Sequence, residues 1–236
     1  MATIPRTAVG REIDYPTSDG RPMAETDTHR RIMVDLIQTL QDFYAADPMV
    51  YVSGDLMLFY EEGDRRKHLA PDVFVVKGVP KEPLREYYLL WNEGKGPDLV
   101  VEVTSKTIRR EDRTKKPAVY RDILKVPEFF LFDPFEDYLD PPFQGHRRVR
   151  GRYIPIQSVR GRLPSAVLGL HLERGGPELR LYDPETGRRL PTRAEKLLEA
   201  EAKLGRSEIR LDRAEAEIGR LRGELEELRG RLPGGA

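Results

Sequence analysis

Two carboxylates and a few lysines are the residues whose types and spacing could carry chemistry. Glu102 lies within Asp98-Leu99-Val100-Val101-Glu102-Val103-Thr104. Strand alternation sets Leu99 and Val101 on one face of that run, and Val100 and Glu102 on the other. A carboxylate among valines is costly to desolvate unless a cation neutralises it. An arginine or a metal ion could do so. Asp72 follows Pro71 at the head of another apolar run. Brought together from adjacent strands, Asp72 and Glu102 would form a hard-oxygen site suited to Mg²⁺, with Mn²⁺ as an alternative. Such an ion can activate water and stabilise charge on a phosphoryl group. A nearby lysine could hold the water or balance charge, and Lys106, Lys115 and Lys116 are the candidates. His29 and His68 have no metal-ligand spacing and read as surface residues.

Other chemistries lack their residues. The chain has 236 residues and no cysteine, which excludes disulfides, thiolate metal sites and cysteine nucleophiles. It has no Gly-x-x-x-x-Gly-Lys-Ser/Thr loop, no Gly-x-Gly-x-x-Gly and no Gly-x-Ser-x-Gly elbow. Lys plus Arg and Asp plus Glu are 40 each, so no whole-protein positive field points to nucleic acid. Basic clusters, read as turns, remain at 65–67, 109–110 and 147–152. No apolar run reaches membrane-spanning length and the first residues lack a signal-peptide core. The expectation is a cytoplasmic protein with no membrane association.

The elements that must position these residues follow from periodicity. Residues 1–24 carry no period and read as an N-terminal arm. Thr26-Asp27-Thr28 offers caps, and Ile32, Leu36, Ile37, Leu40, Phe43 and Tyr44 follow at helical spacing. The spacing predicts a helix over 28–45, ended by Asp47-Pro48. Strands are expected at 50–60, 71–76, 98–104, 129–133, 152–156, 167–173 and 178–182. A short helical stretch is expected within 110–124, broken or begun by Pro117. A residue before proline is pushed away from the helical region, which sets the helix start at Pro117 with Lys116 as its cap. The class is α/β or α+β, a helix ahead of a mixed sheet.

Four blocks, in order, resemble a known family. They are Ala70-Pro71-Asp72-Val73; Gly96-Pro97 through Ser105; Asp112-x-x-x-Lys116-x-x-x-Tyr120; and Val126-Pro127-Glu128 through Asp133-Pro134. Together they resemble a large bacterial family of putative restriction endonucleases within the PD-(D/E)XK nuclease superfamily. The resemblance implies an α/β, restriction-endonuclease-like core over 25–190, a helix plus mixed β-sheet. It implies a metal-dependent DNA endonuclease whose Mg²⁺ is held by Asp72, Glu102 and the carbonyl of Val103. It assigns the catalytic lysine to Lys116 of the following helix, since position 104 of the Glu-x-Lys pattern is threonine. Because Pro117 directly follows Lys116, Lys106 or Lys115 could substitute. Glu25 could match a helical glutamate that some members use. The alternative reading is a non-catalytic module that binds nucleic acid or protein on a nuclease-like fold.

From residue 193 the pattern changes. Leu197, Leu204, Leu211, Ile218, Leu225 and Leu232 lie seven apart. Ala200, Ser207, Ala214, Leu221 and Leu228 follow each of the first five by three. The heptads predict a coiled-coil helix over 193–232 and a parallel homodimer. A single amphipathic helix is the simpler reading.

Overall fold

The computed structural model describes residues 15–17, 26–104 and 115–231. Lys106 and Glu25 therefore lie outside the described residues. The chain divides into two compact units, Met1–Leu190 and Pro191–Ala236.

The first unit is an α/β layered structure. Helix α1 (Asp27–Phe43) starts where the Thr26 hydroxyl accepts the His29 N–H. A six-stranded sheet follows, in the order β1 (Val50–Ser53), β4 (Val73–Lys77), β6 (Leu99–Val103), β7 (Glu128–Phe132), β8 (Phe143–Val149), β9 (Arg152–Pro155). Only β6 and β7 run parallel within it; the other neighbours are antiparallel. Strands β4 and β6 are buried on both faces and consist of near-continuous apolar residues, as two covered faces require.

One face of this sheet packs Val73, Val75, Leu99, Val101 and Val103 against Ile32, Leu36 and Leu40 of α1. Leucines 163, 172, 179 and 181 join the same core from a second, four-stranded sheet. That sheet is β10 (Arg162–Pro164), β11 (His171–Gly175), β12 (Glu178–Asp183) and β13 (Arg188–Arg189). The other face packs Phe74, Val100 and Phe129 against Tyr88, Tyr120 and Leu124. Tyr88 comes from the small sheet of β2 (Leu58–Phe59), β3 (His68–Leu69) and β5 (Tyr88–Leu89). A short helix, α2 (Leu90–Glu93), follows β5. Full burial of one such side chain contributes about 1.5–3 kcal/mol.

Between β6 and β7 lies α3. Residues 115–118 are helical and run into a π-helical turn, Val119–Ile123, closed by the Leu124 N–H on the Val119 carbonyl at 2.9 Å. The helix thus does not begin at Pro117, and Lys116 is not its cap. Proline disfavours but does not forbid a helical residue before it. Here Lys116 is held by two acceptors described below.

Three further expectations are corrected. The apolar run 50–60 is two strands, because the chain breaks at Gly54. A Cβ there would lie 2.0 Å from the Asp72 carbonyl oxygen. The basic run 147–152 is a β-hairpin, with Arg150 and Gly151 at positive φ (48° and 82°) forming its two-residue turn. Within 167–173 only the part from His171 is strand.

The second unit is helix α4 (Arg193–Arg231). Thr192 and Glu195 cap it reciprocally: the Glu195 N–H reaches the Thr192 hydroxyl at 3.2 Å, and the Thr192 N–H reaches the Glu195 carboxylate at 2.8 Å. Among the described residues no helix is long and apolar enough to cross a membrane.

Candidate active site

Asp72 sits at the entry to β4, one step before Val73, which pairs with Val101 of β6. Its Oδ2 accepts the Val103 N–H at 2.6 Å. The two strands are held at this point by a carboxylate rather than by a strand carbonyl. Gly54 allows the backbone after β1 to pass against Asp72, and the Asp55 N–H is held by the Pro71 carbonyl at 2.8 Å. Any side chain at Gly54 would push the Asp72 backbone aside.

Glu102 lies one residue before the end of β6 and points to the α3 face. It is buried. Lys116 Nζ contacts Glu102 Oε2 at 2.8 Å and the Ala70 carbonyl at 3.0 Å. The Tyr120 hydroxyl donates to Glu102 Oε1. Lys116 and Tyr120 are four residues apart on one helical face, so a single turn of α3 supplies both partners. Asp72, Glu102, the Val103 backbone and Lys116 therefore converge. Lys115 is exposed at the start of the described part of α3.

Burial pushes the Glu102 carboxyl up, and the Asp72 charge adds to that. Lys116 and the Tyr120 hydrogen bond oppose it, and the result is a pKa of about 7. Burial also raises Asp72, but the His29 hydrogen bond, the charges of Lys116 and His29, and the Val103 N–H outweigh it. Its net pKa falls below the usual carboxylate value. Burial first, then Glu102, raises the Tyr120 hydroxyl well above the ordinary tyrosine range. It stays a donor at neutral pH.

His29 corrects the sequence reading. It is 1% exposed, not a surface residue. Its Nε2 lies 3.1 Å from Asp72 Oδ2 and 3.0 Å from the Val103 carbonyl oxygen. The sequence held a signal for this: His29, Ile32, Leu36 and Leu40 share the buried stripe of α1. A histidine on that stripe had to find polar partners inside.

The donor set fits a divalent cation. Two carboxylates and a strand carbonyl are hard oxygen donors, and imidazole is a common ligand for the softer first-row ions. The separations of 3.0 and 3.1 Å are ordinary hydrogen-bond distances, which put His29 Nε2 within reach of both the Val103 carbonyl and Asp72 Oδ2. Among the described residues no three His, Cys, Asp or Glu side chains form a ready metal cage, because Glu102 is turned to Lys116 and Tyr120. Thr104 stands where the Glu-x-Lys pattern has its lysine. Its hydroxyl is buried and has no hydrogen-bond partner among the described residues. Lys116 brings an ammonium group to Glu102 from the neighbouring helix instead.

No curated protein matches the chain. Among solved structures it is similar to a crystal structure described as a putative nuclease from Anabaena variabilis, at 17% identity and a TM-score of 0.48. That likeness covers 64% of this chain and 80% of the other. A family model, Uma2, described as "Putative restriction endonuclease", matches residues 4–175, which include Asp72, Glu102, Lys116 and His29. The chain belongs to that family of putative restriction endonucleases.

Proposed function

We propose that this protein is a Mg²⁺-dependent endonuclease that hydrolyses phosphodiester bonds in DNA. The observation that carries the reading is the convergence of Asp72, the Val103 backbone, Glu102 and Lys116 from three separate elements. Family membership supports a nuclease.

Asp72, Glu102 and the Val103 carbonyl would hold the cation, with His29 Nε2 beside two of them. When bound, the ion supplies positive charge to a phosphate and lowers the pKa of a water ligand. The chain's own residues do the rest. The Val103 N–H and His29 fix Asp72 Oδ2 in one direction. Tyr120 donates to Glu102 Oε1 and leaves Oε2 toward Lys116. The Lys116 ammonium, anchored on the Ala70 carbonyl, can meet negative charge developing on the phosphoryl group. Its removal would leave two buried carboxylates without their shared cation.

One observation favours a non-catalytic module: Glu102 is already neutralised by Lys116 and Tyr120 without any ion. Cleavage of supercoiled plasmid with Mg²⁺ or Mn²⁺ separates the readings. The nuclease reading expects nicking that is lost in Asp72→Asn, Glu102→Gln and Lys116→Ala. It also expects Mn²⁺ to raise the melting temperature of the wild type and not of Asp72→Asn. Wild-type protein that neither cuts nor responds to Mn²⁺ would leave the binding-module reading in its place.

A further inference from the structure

Helix α4 carries an exposed apolar stripe. Leu197, Leu204, Leu211, Ile218, Leu221 and Leu225 are 45–61% exposed. They occupy the two seam positions of successive heptads, and Leu228 and Leu232 continue the spacing in sequence. A Cβ added at Gly205, Gly219 or Gly223 would meet no neighbouring element within 4 Å among the described residues, and the heptads put all three on the far side of the helix. They leave the seam uninterrupted.

The charges beside the stripe identify its occupant. In a parallel pair, each residue just before a seam leucine faces the partner's residue five places on. Here those pairs are Lys196–Glu201, Lys203–Glu208, Arg210–Glu215, Glu217–Arg222 and Glu224–Arg229. All five are opposite in sign. The sign order inverts between 210 and 217. A slip of one heptad therefore sets Arg210 against Arg222 in one direction, or Glu217 against Glu215 in the other. The complement this helix requires is its own sequence, unshifted. We propose that α4 is a self-recognising surface that pairs two copies of this chain in a parallel, in-register coiled coil.

The inference rests on the heptads and stands independently of the nuclease reading. Its consequence for that reading is geometric. A parallel pair brings both Pro191 residues to one end of the tail. Two catalytic units would then be tethered at the same end, one available for each strand of a duplex. Paired tethering raises the local concentration of the second unit once the first has bound.

Sedimentation of the full chain tests the proposal. The expected mass is twice 27.1 kDa. Ile218→Asp with Leu225→Asp should return it to one chain. Glu217→Arg with Glu224→Arg should weaken pairing by about tenfold or more, since attraction becomes repulsion at four symmetric positions. Adding Arg222→Glu and Arg229→Glu to the same chain re-forms every pair and should restore it. The chain has no cysteine, so Ala200→Cys introduces a single reporter at a seam position. Under oxidation it should cross-link a parallel pair. A monomeric wild type would overturn the proposal. So would a fourfold charge swap that stays monomeric, or a dimer that Ala200→Cys fails to cross-link.

Discussion

Two buried glutamates on neighbouring parallel strands have opposite surroundings. Glu128 begins β7 and is 1% exposed; Glu102 nears the end of β6 and is 4% exposed. Glu128 is surrounded by donors. Its Oε1 accepts from Arg147 Nε at 2.9 Å and the Ala166 N–H at 3.0 Å. Its Oε2 accepts from the Ser165 hydroxyl at 2.5 Å and the Val167 N–H at 3.3 Å. This carboxylate fastens the loop between β10 and β11 to the large sheet. Among the described residues Glu102 has one cation and one hydroxyl, and it lies in the field of a second carboxylate. A buried carboxylate with four or more donors is a structural clasp. One with two donors, beside another acid, keeps capacity for a further ligand. Burial alone does not separate the two; the donor count does.

The largest expected effect follows at Glu102 and is one of activity. Glu102→Gln should lower metal-dependent cleavage by on the order of 10²–10³-fold or more, the range for losing one preorganised electrostatic partner. The fold should be nearly indifferent, within about 1 kcal/mol. At pH 6 the Glu102 carboxyl, with a pKa near 7, is already largely neutral, so an uncharged isostere fits the same surroundings. Cleavage assays beside denaturant unfolding check both halves. Cleavage at wild-type level would remove Glu102 from the site.

Glu128→Gln should do the reverse. An amide cannot accept at both ends, so the Ala166 and Val167 N–H groups or the Ser165 hydroxyl lose a partner while buried. The expected cost is about 2–4 kcal/mol. At about 2–4 °C per kcal/mol for a domain of this size, that is a melting temperature lower by roughly 4–16 °C. At temperatures where the variant is still folded, its cleavage rate should match the wild type. A variant as stable as wild type would break the comparison.

A third expectation concerns pH, in the metal-free protein. Glu102 is raised from 4.5 in the unfolded chain to about 7 in the fold. Between those values the folded state binds the extra proton. Its contribution to stability is present below about 4.5 and is lost as pH rises through about 7. The slope is at most about 1.4 kcal/mol per pH unit for one proton. His146, whose pKa burial lowers from the ordinary 6.5, contributes with the opposite sign. Subtracting the unfolding curves of Glu102→Gln from those of the wild type removes that term. The difference should decline from pH 5 to pH 7. A flat or rising difference would mean that Glu102 is ionised throughout.

The strands that frame the site were legible because they are covered on both faces. Residues 73–77, 99–103 and 128–132 are near-continuous apolar runs, and a lone carboxylate in such a run stands out. Asp72, Glu102 and Lys116 could be found on that basis and through the family's motif. What the residues hid were the partnerships that depend on distant chain. Gly54 reads as an ordinary residue in an apolar stretch until the Asp72 carbonyl arrives against it. Arg147 looks like part of a charged turn, yet Glu128 draws it onto β8. The role of His29 depends on Asp72, 43 residues on, and on Val103, 74 residues on. Local pattern marked it as a polar residue on an apolar stripe, without saying which partner it would meet.

The smallest expected effect lies at Thr104, the residue immediately beyond the strand that carries Glu102. Its N–H is held by the Phe132 carbonyl at 2.7 Å, so the backbone there is fixed by the parallel partner strand. Its side chain is a different matter. The hydroxyl is buried and has no hydrogen-bond partner among the described residues, whereas every atom of the Glu128 carboxylate is engaged. A buried hydroxyl without a partner costs about 1–3 kcal/mol relative to one that is paired. Valine has nearly the same shape and β-branching, so it suits the same extended backbone. Thr104→Val should therefore leave stability unchanged or raise it by up to about 1 kcal/mol, read as a melting temperature higher by up to about 2–4 °C. Cleavage should be unaffected, because Lys116 supplies the ammonium group that the Glu-x-Lys pattern places at this position. A loss of more than about 1 kcal/mol would show that the hydroxyl is satisfied in solution. A loss of cleavage at unchanged stability would move Thr104 into the site beside Glu102.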